Sequence, residues 1–190
     1  MPNKYNPEIH HRRSIRLKDY DYSQAGAYYV TICIQGKVCL LGDIADGVMA
    51  LNDAGRMIEK WWCKLPEKFE FIELDEYVVM PNHFHGIINI VGAVGADLCV
   101  CPDNRNKNIN QGEHTGSPLH RIVQWFKTMI TNEYIHGVKQ YNWPPFSGRF
   151  WQRNYYEHII RNEDELNKIR EYIVRNPAMW GEDDENPYKK

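Results

Sequence analysis

His83 and His85 stand two residues apart with Phe84 between them, inside the run Glu76 to Asn89. Apolar, β-favouring residues flank them: Tyr77-Val78-Val79-Met80 before and Ile87-Ile88 after. In a strand, side chains alternate faces, so the two imidazoles share one face and Phe84 takes the other. Two neutral imidazoles side by side on a strand form a ready pair of metal ligands. The bland alternative is a pair of polar positions on an exposed strand face. The apolar surroundings, where an unpartnered polar group is costly to bury, weigh toward ligands. Tyr172 and Asn176 are a second pair. Four apart on a helix, they stack one turn from each other, offset from the apolar row Leu166, Ile169 and Ile173. If that helix crosses the histidine strand, two imidazoles and the Asn176 amide oxygen converge. Two nitrogens and one oxygen with positions left open suit Mg²⁺ or Mn²⁺ bridging to a phosphate better than a closed zinc site. A phenol beside such a phosphate can be a nucleophile, although its ordinary pKa of about 10 calls for a local base or the metal's help. Tyr155 and Tyr156 rival it by residue type, and an ordinary half-buried tyrosine is the default reading of Tyr172. Only Tyr172 has a ligand-type residue one helical turn away on a face free of core residues.

The elements that must place these groups follow from apolar periodicity. Tyr28 to Ile34 is β-branched and aromatic and reads as a strand, with a turn at Gln35-Gly36-Lys37. Val38 to Leu41 reads as a short second strand. Asn52 or Asp53 caps a helix whose stripe is Ala54, Met57, Ile58, Trp61, Trp62 and Leu65, ended by Pro66. Phe69 to Met80 and His83 to Val91 form an antiparallel pair across the bend Pro81-Asn82. Ser117-Pro118 opens a helix with buried Leu119, Ile122, Val123, Phe126, Met129 and Ile130, closed by Gly137, with Lys127 off that face. Arg149 to Ile160 reads as a strand. Asn162 caps the last helix with Glu165 three residues on, and Pro177 stops it. Hairpin-type connections imply an α+β fold: a ferredoxin-like antiparallel sheet with helices packed on one face and the histidine pair on a central strand.

The 190 residues suit one domain, and the 43% hydrophobic content suffices for a core. The expected division is a basic N-terminal arm at 1–22, one domain at 23–180 with a flexible insertion at 92–118, and an acidic tail at 181–190. No apolar run approaches a membrane span, and the N-terminus lacks a signal-peptide core, so a cytoplasmic location and no membrane partner are expected. Five cysteines, an odd number, fit a reducing compartment better than a disulfide framework. The net charge of −2 argues mildly against a nucleic-acid partner. Residues 121–161 argue the other way: six Lys or Arg against two Glu, a local charge of +4, among ten aromatic residues. Cations and flat rings together are what single-stranded nucleic acid requires. An aromatic core with a few surface charges fits that stretch as well.

Met80-Pro81-Asn82-His83-Phe84-His85-Gly86 resembles the HUH motif (His, bulky apolar, His) of single-tyrosine HUH transposases. The run from Trp151 to Asn162, with Arg153, Tyr155, Tyr156 and His158, resembles a later block of their REP-associated tyrosine transposase branch, as does Tyr172-Ile173-Val174-Arg175-Asn176-Pro177. The branch comprises transposase-like bacterial proteins linked to repetitive extragenic palindromes. The resemblance runs from about Arg12 to Pro177, its blocks in the right order. It implies a ferredoxin-like fold and an endonuclease and strand transferase that nicks and rejoins single-stranded DNA beside a hairpin. It implies a divalent metal, Mg²⁺ or Mn²⁺, and no nucleotide cofactor. His83 and His85 become metal ligands, Asn176 the third ligand, and Tyr172 the nucleophile that leaves a 5′-phosphotyrosine and a free 3′-hydroxyl. Arg12, Arg13 and Arg16 would hold a guide sequence at the hairpin foot. Lys127, Arg149 and Arg153 would meet phosphates, and Trp151 would stack on a base. The protein would associate with the bacterial nucleoid through DNA, as a monomer or a homodimer. Two other readings compete: a domesticated regulator that binds DNA hairpins without cutting, and a metal phosphodiesterase using activated water.

Overall fold

A computed structural model of the chain describes residues 25–92 and 117–189. The basic arm, with Arg12, Arg13 and Arg16, and residues 93–116 of the expected insertion lie outside the described residues. Within them run β1 (Gly26–Cys33), β2 (Gly42–Ala45), β3 (Val48–Leu51), α1 (Asp53–Cys63), α2 (Leu65–Lys68), β4 (Ile72–Val79), β5 (His83–Ile90), α3 (Pro118–Tyr141), β6 (Tyr156–Ile160) and α4 (Glu163–Arg175). Four strands form one sheet in the order β4-β5-β1-β6, every pairing antiparallel, so β5 with its histidines is central. The α+β architecture expected from the sequence is the one observed.

Strand alternation divides β1 between two tasks. Tyr28, Val30 and Ile32 are fully buried in the main core with Met57, Ile58 and Trp62 of α1 and Ile122, Phe126 and Ile130 of α3. Phe84 joins them, its ring 4.6 Å from that of Trp62 and 5.4 Å from that of Phe126. Core aromatics of this kind resist truncation by about 3–5 kcal/mol each. Tyr29, Thr31 and Cys33 alternate with these residues and belong to the opposite face. There a smaller apolar cluster joins Tyr29, Ile87 and Ile160 to Ile173, Leu166 and Ile169 of α4. Packing on one face therefore holds for α1 and α3, while α4 crosses the other face, beside the histidines.

A β-bulge sets the position of α4. Leu74 pairs with Ile88 but Tyr77 pairs with Gly86, so β4 carries one extra residue there. Its phase switches: Leu74 and Tyr77 both pack against the main core, while Val78 joins the α4 cluster. Asp75, inside the bulge, accepts from Arg170 of α4 at 2.9 Å (Nε) and 2.6 Å (Nη2), a bidentate clamp. Arg170, Ile173 and Leu166 share one helical face, which leaves Tyr172 and Asn176 on the adjoining one.

Several boundaries differ from the sequence reading. Val38 to Leu41 is not a strand; the amides of Leu40 and Leu41 donate to the Pro81 carbonyl instead. The short hairpin lies just beyond, β2 to β3, turned by Asp46 (φ 51°) and Gly47 (φ 74°), an Asp-Gly pair suited to such left-handed turns. Asn52, not Asp53, caps α1, accepting from the Gly55 amide at 3.0 Å. Pro66 opens the short helix α2 rather than simply ending α1. Gly137 does not close α3. The helix runs on to Tyr141 and ends at a left-handed Asn142. Gly137 is needed for packing, because a Cβ there would collide with the Trp143 ring. The strand foreseen from Arg149 shrinks to β6. Trp151 makes one bridge to Ile34, and 152–155 are irregular.

Candidate functional site

His83 and His85 are both buried, and their Nε2 atoms face each other at 3.0 Å. Each ring is held from behind. Asn82 spends its Nδ2 on the carbonyls of Lys37 and Glu185, so its Oδ1 accepts from the His83 Nδ1–H at 2.9 Å. That places the His83 proton on Nδ1 and turns the Nε2 lone pair inward. His85 Nδ1 is bonded to the Tyr29 hydroxyl at 2.7 Å and the Thr31 hydroxyl at 2.8 Å. Burial lowers the His83 pKa to about 4 and holds that of His85 well below its ordinary value, with His83 adding to the effect on His85. Both imidazoles are neutral at pH 7, the form that binds a metal.

The tyrosine helix arrives over this pair. The Tyr172 ring stands 5.5 Å from that of His85 and 6.3 Å from that of Tyr29, with about half of the residue exposed. Asn176 is buried one turn on, beside the Tyr172 side chain on the cleft wall. Its Oδ1 is buried without a hydrogen-bond partner among the described residues. A buried carbonyl oxygen so placed costs stability unless something fills it. A cation beside the two imidazoles would do so, and the donor set fits a divalent metal.

The sequence reading missed one further group. Asp183 lies with its carboxylate 3.7 Å from His83 Nε2, and one atom each of His83, His85 and Asp183 fall within 4.8 Å of one another. Residues 183–185, expected in an acidic tail, lie at the start of the histidine strand: Asn82 donates to the Glu185 carbonyl at 2.8 Å, and Lys37 donates to the Asp184 carbonyl at 2.6 Å. Nothing in the local sequence separates Asp183 from its acidic neighbours. Only the fold brings it in.

These groups line an open cleft of about 810 Å³ with Tyr29, His85, Tyr172, Asn176 and Asp183 on its walls. Tyr172 itself titrates above its ordinary value. Burial is the largest cause and the Asp183 charge adds to it, while hydrogen bonds from Asn176 and Tyr29 pull the other way. Of the rival tyrosines, Tyr156 reaches the ring of Tyr29 at 6.2 Å and Tyr155 that of His120 at 6.3 Å. Of these three, Tyr172 is in ring contact with His85, which Tyr29 also stacks against from within the sheet at 5.5 Å.

The predicted DNA contacts divide. Lys127, Arg149, Trp151 and Arg153 all line a second cleft, of about 690 Å³. Arg149 and Arg153 are exposed. Trp151 is only 5% exposed and packs edge-on against Phe150, so its ring face is not free for a base. Its role as a stacking residue is corrected to a core role. Lys127 is partly buried and donates to the carbonyls of Gln152 at 2.7 Å and Arg153 at 3.4 Å. Burial brings its pKa down to about 8. It braces the 152–153 backbone between the clefts.

The histidine pair makes an acid-stability prediction. Unfolded imidazoles take up protons below about pH 6.5, whereas folded His83 does so only near pH 4. Between those values the unfolded state binds more protons, so stability is lost as the pH falls. In chelator, the unfolding free energy from urea melts is expected to be lower at pH 4.5 than at pH 7.5, by on the order of a few kcal/mol for the pair, and the midpoint lower with it. The lowered Asp75 carboxyl acts only at lower pH still. A midpoint unchanged across the window would refute neutral burial.

No known family profile matches the sequence. A Haemophilus influenzae protein of uncharacterised function is 41% identical over 183 residues, covering 96% of this chain and 97% of its own. A second protein of that organism, provisionally named a REP-associated tyrosine transposase, is 29% identical over 87 residues, covering 44% of this chain and 49% of its own. Among solved structures, a REP-associated tyrosine transposase bound to a REP hairpin matches with a TM-score of 0.55 at 17% identity, over 86% of this chain and 72% of its own. A Deinococcus radiodurans protein provisionally named a transposase reaches a TM-score of only 0.43, too weak a likeness to establish the fold. The chain is thus similar to REP-associated tyrosine transposases in sequence over 87 residues and in fold over 86% of its length. No helix among the described residues is long and apolar enough to cross a membrane.

Proposed function

The chain belongs to one family with the full-length Haemophilus relative and has the fold of a REP-associated tyrosine transposase, and from that premise we propose that it nicks and rejoins single-stranded DNA beside hairpins. One observation carries the reading: Tyr172 stands in ring contact with a buried, neutral His pair, beside an amide oxygen of Asn176 that lacks a partner. A regulator that only binds DNA has no use for that combination.

His83, His85 and Asn176 would hold a divalent metal, Mg²⁺ or Mn²⁺, with Asp183 as an added carboxylate. A metal held by these residues would supply Lewis-acid polarisation of the phosphate and offset its charge. The Tyr172 phenol oxygen forms a bond to phosphorus as the bond from phosphorus to the 3′-oxygen breaks. The phenol proton passes to water in the open cleft, and the leaving oxygen takes one up as a 3′-hydroxyl. The phosphotyrosine ester keeps the energy of the phosphodiester. A second strand's 3′-hydroxyl reverses the step and frees Tyr172, so rejoining needs no nucleotide cofactor. Asn176 and Tyr29 orient the phenol by their hydrogen bonds. Arg12, Arg13 and Arg16 of the N-terminal arm are assigned to the hairpin foot, and Arg149 and Arg153 to phosphates.

The test is a denaturing gel of the full chain with labelled hairpin oligonucleotides from the flanks of its own gene, in Mn²⁺ or in chelator. The expected result is a protein-linked DNA band that requires the metal. Tight binding with no adduct on any flanking strand would instead establish the regulator. Cleavage without adduct or hairpin preference would establish a water-using phosphodiesterase.

A further inference from the structure

The two clefts carry opposite charge. Among the described residues, Glu182, Asp183, Asp184 and Glu185 line the first and no Lys or Arg does, although Lys37 and Lys189 pair with Glu185 and Asp184 from outside it. Lys127, Arg149 and Arg153 line the second, and no Asp or Glu among the described residues does. The clefts share a wall, because Gln152 and Tyr155 belong to both. Arg149 and Arg153 form no ion pair among the described residues, so both guanidinium groups are available. An acidic pocket suits a cation and repels a strand of phosphates. A basic pocket beside it does the reverse.

Resting on the reading of a DNA-cutting site, the geometry points to the second cleft as the seat of the single strand that leads into the first. Its backbone passes Arg149 and Arg153, crosses the 152–155 wall that Lys127 braces, and presents one phosphate to Tyr172. The bases then lie toward α3. There Gln124, Thr128, Thr131 and Asn132 recur on one helical face along the same cleft. The two hydroxyls already donate to backbone carbonyls of their own helix, Thr128 to Gln124 and Thr131 to Lys127, and remain acceptors. The amides of Gln124 and Asn132 offer donor and acceptor together, the pairing that reads an adenine edge. Phosphate contacts would set the register, and this row would make the choice of base beside the cut.

The experiment is fluorescence anisotropy of the full chain in chelator, where no cutting competes. The probes are labelled hairpins with progressively longer single-stranded flanks. Affinity is expected to rise with flank length and level off within roughly 4–16 nucleotides. Arg149→Ala and Arg153→Ala each should weaken flanked hairpins about tenfold and lower the salt slope by about 0.7. Hairpins without a flank should bind the variants as they bind the native chain. Gln124→Ala should leave the salt slope alone and flatten the preference for one flank base by about tenfold. Unchanged flank affinity and salt slope in the arginine double variant would overturn the strand path. Metal-dependent cutting by the native chain would then leave the reading of the first cleft standing. If the native chain bound no hairpin at all, both would fall.

Discussion

Tyr172→Phe yields no covalent protein–DNA adduct, and strand cleavage falls by at least about a thousandfold. The substitution removes one oxygen from a residue that is half exposed. Loss of the Asn176 and Tyr29 contacts to that oxygen should change stability by no more than about 1 kcal/mol. Hairpin binding should remain. The loss is large because a phenyl ring cannot bond to phosphorus. Of the other cleft tyrosines, Tyr155 and Tyr156 have no ring contact with the histidine pair, and Tyr29 is buried with its hydroxyl bonded to His85. A denaturing gel and a urea melt on one preparation decide the matter. An adduct of undiminished yield in the variant would move the nucleophile to Tyr156 or Tyr155 and overturn the role assigned to Tyr172.

His85→Ala is expected to weaken Mn²⁺ binding by at least 10- to 100-fold and to remove metal-dependent cutting, read by calorimetric titration and by the adduct gel. It also strips the Tyr29 and Thr31 hydroxyls of a buried partner, which costs about 1–3 kcal/mol if water does not enter. His83→Gln is the companion variant, because it keeps an amide in the pocket and the strand's side-chain volume. Asp183→Asn separates ligand from bystander: as a ligand, it should cost about tenfold in metal affinity. Full Mn²⁺ affinity in both histidine variants would sink the metal centre, whatever happened to cutting.

The site was legible where spacing alone decides direction. Period two in β5 put His83 and His85 on one face and Phe84 in the core, and a four-residue step in α4 stacked Tyr172 on Asn176. Those are local rules, and the structure keeps them. The groups behind the first row were not legible. Tyr29 and Thr31 sit on β1, opposite Ile87 and His85 in register, and that pairing joins residues far apart in the chain. Asp183 reaches the histidines only because the chain after α4 turns back through Pro177–Glu182. Trp151 misled for a physical reason: an aromatic among basic residues looks like a stacking platform, and only burial tells otherwise. The single strand expected from Arg149 to Ile160 failed for a similar reason. Aromatic and branched residues favour strands, but 152–155 form no strand and supply the wall between the clefts.

The extra residue in β4 has a consequence for how sequences of this fold can change length. Removing one residue between Leu74 and Tyr77 would erase no motif and alter no side chain of the site. It would, however, flatten the bulge and leave Leu74 and Tyr77 at ordinary two-residue alternation on the core side of the sheet. It would also unseat Asp75, and with it the grip on Arg170 that sets the rotation of α4. Substitution there trades one contact for another, whereas deletion turns the helix that carries Tyr172. Related chains should therefore vary in letters at this spot far more freely than in count.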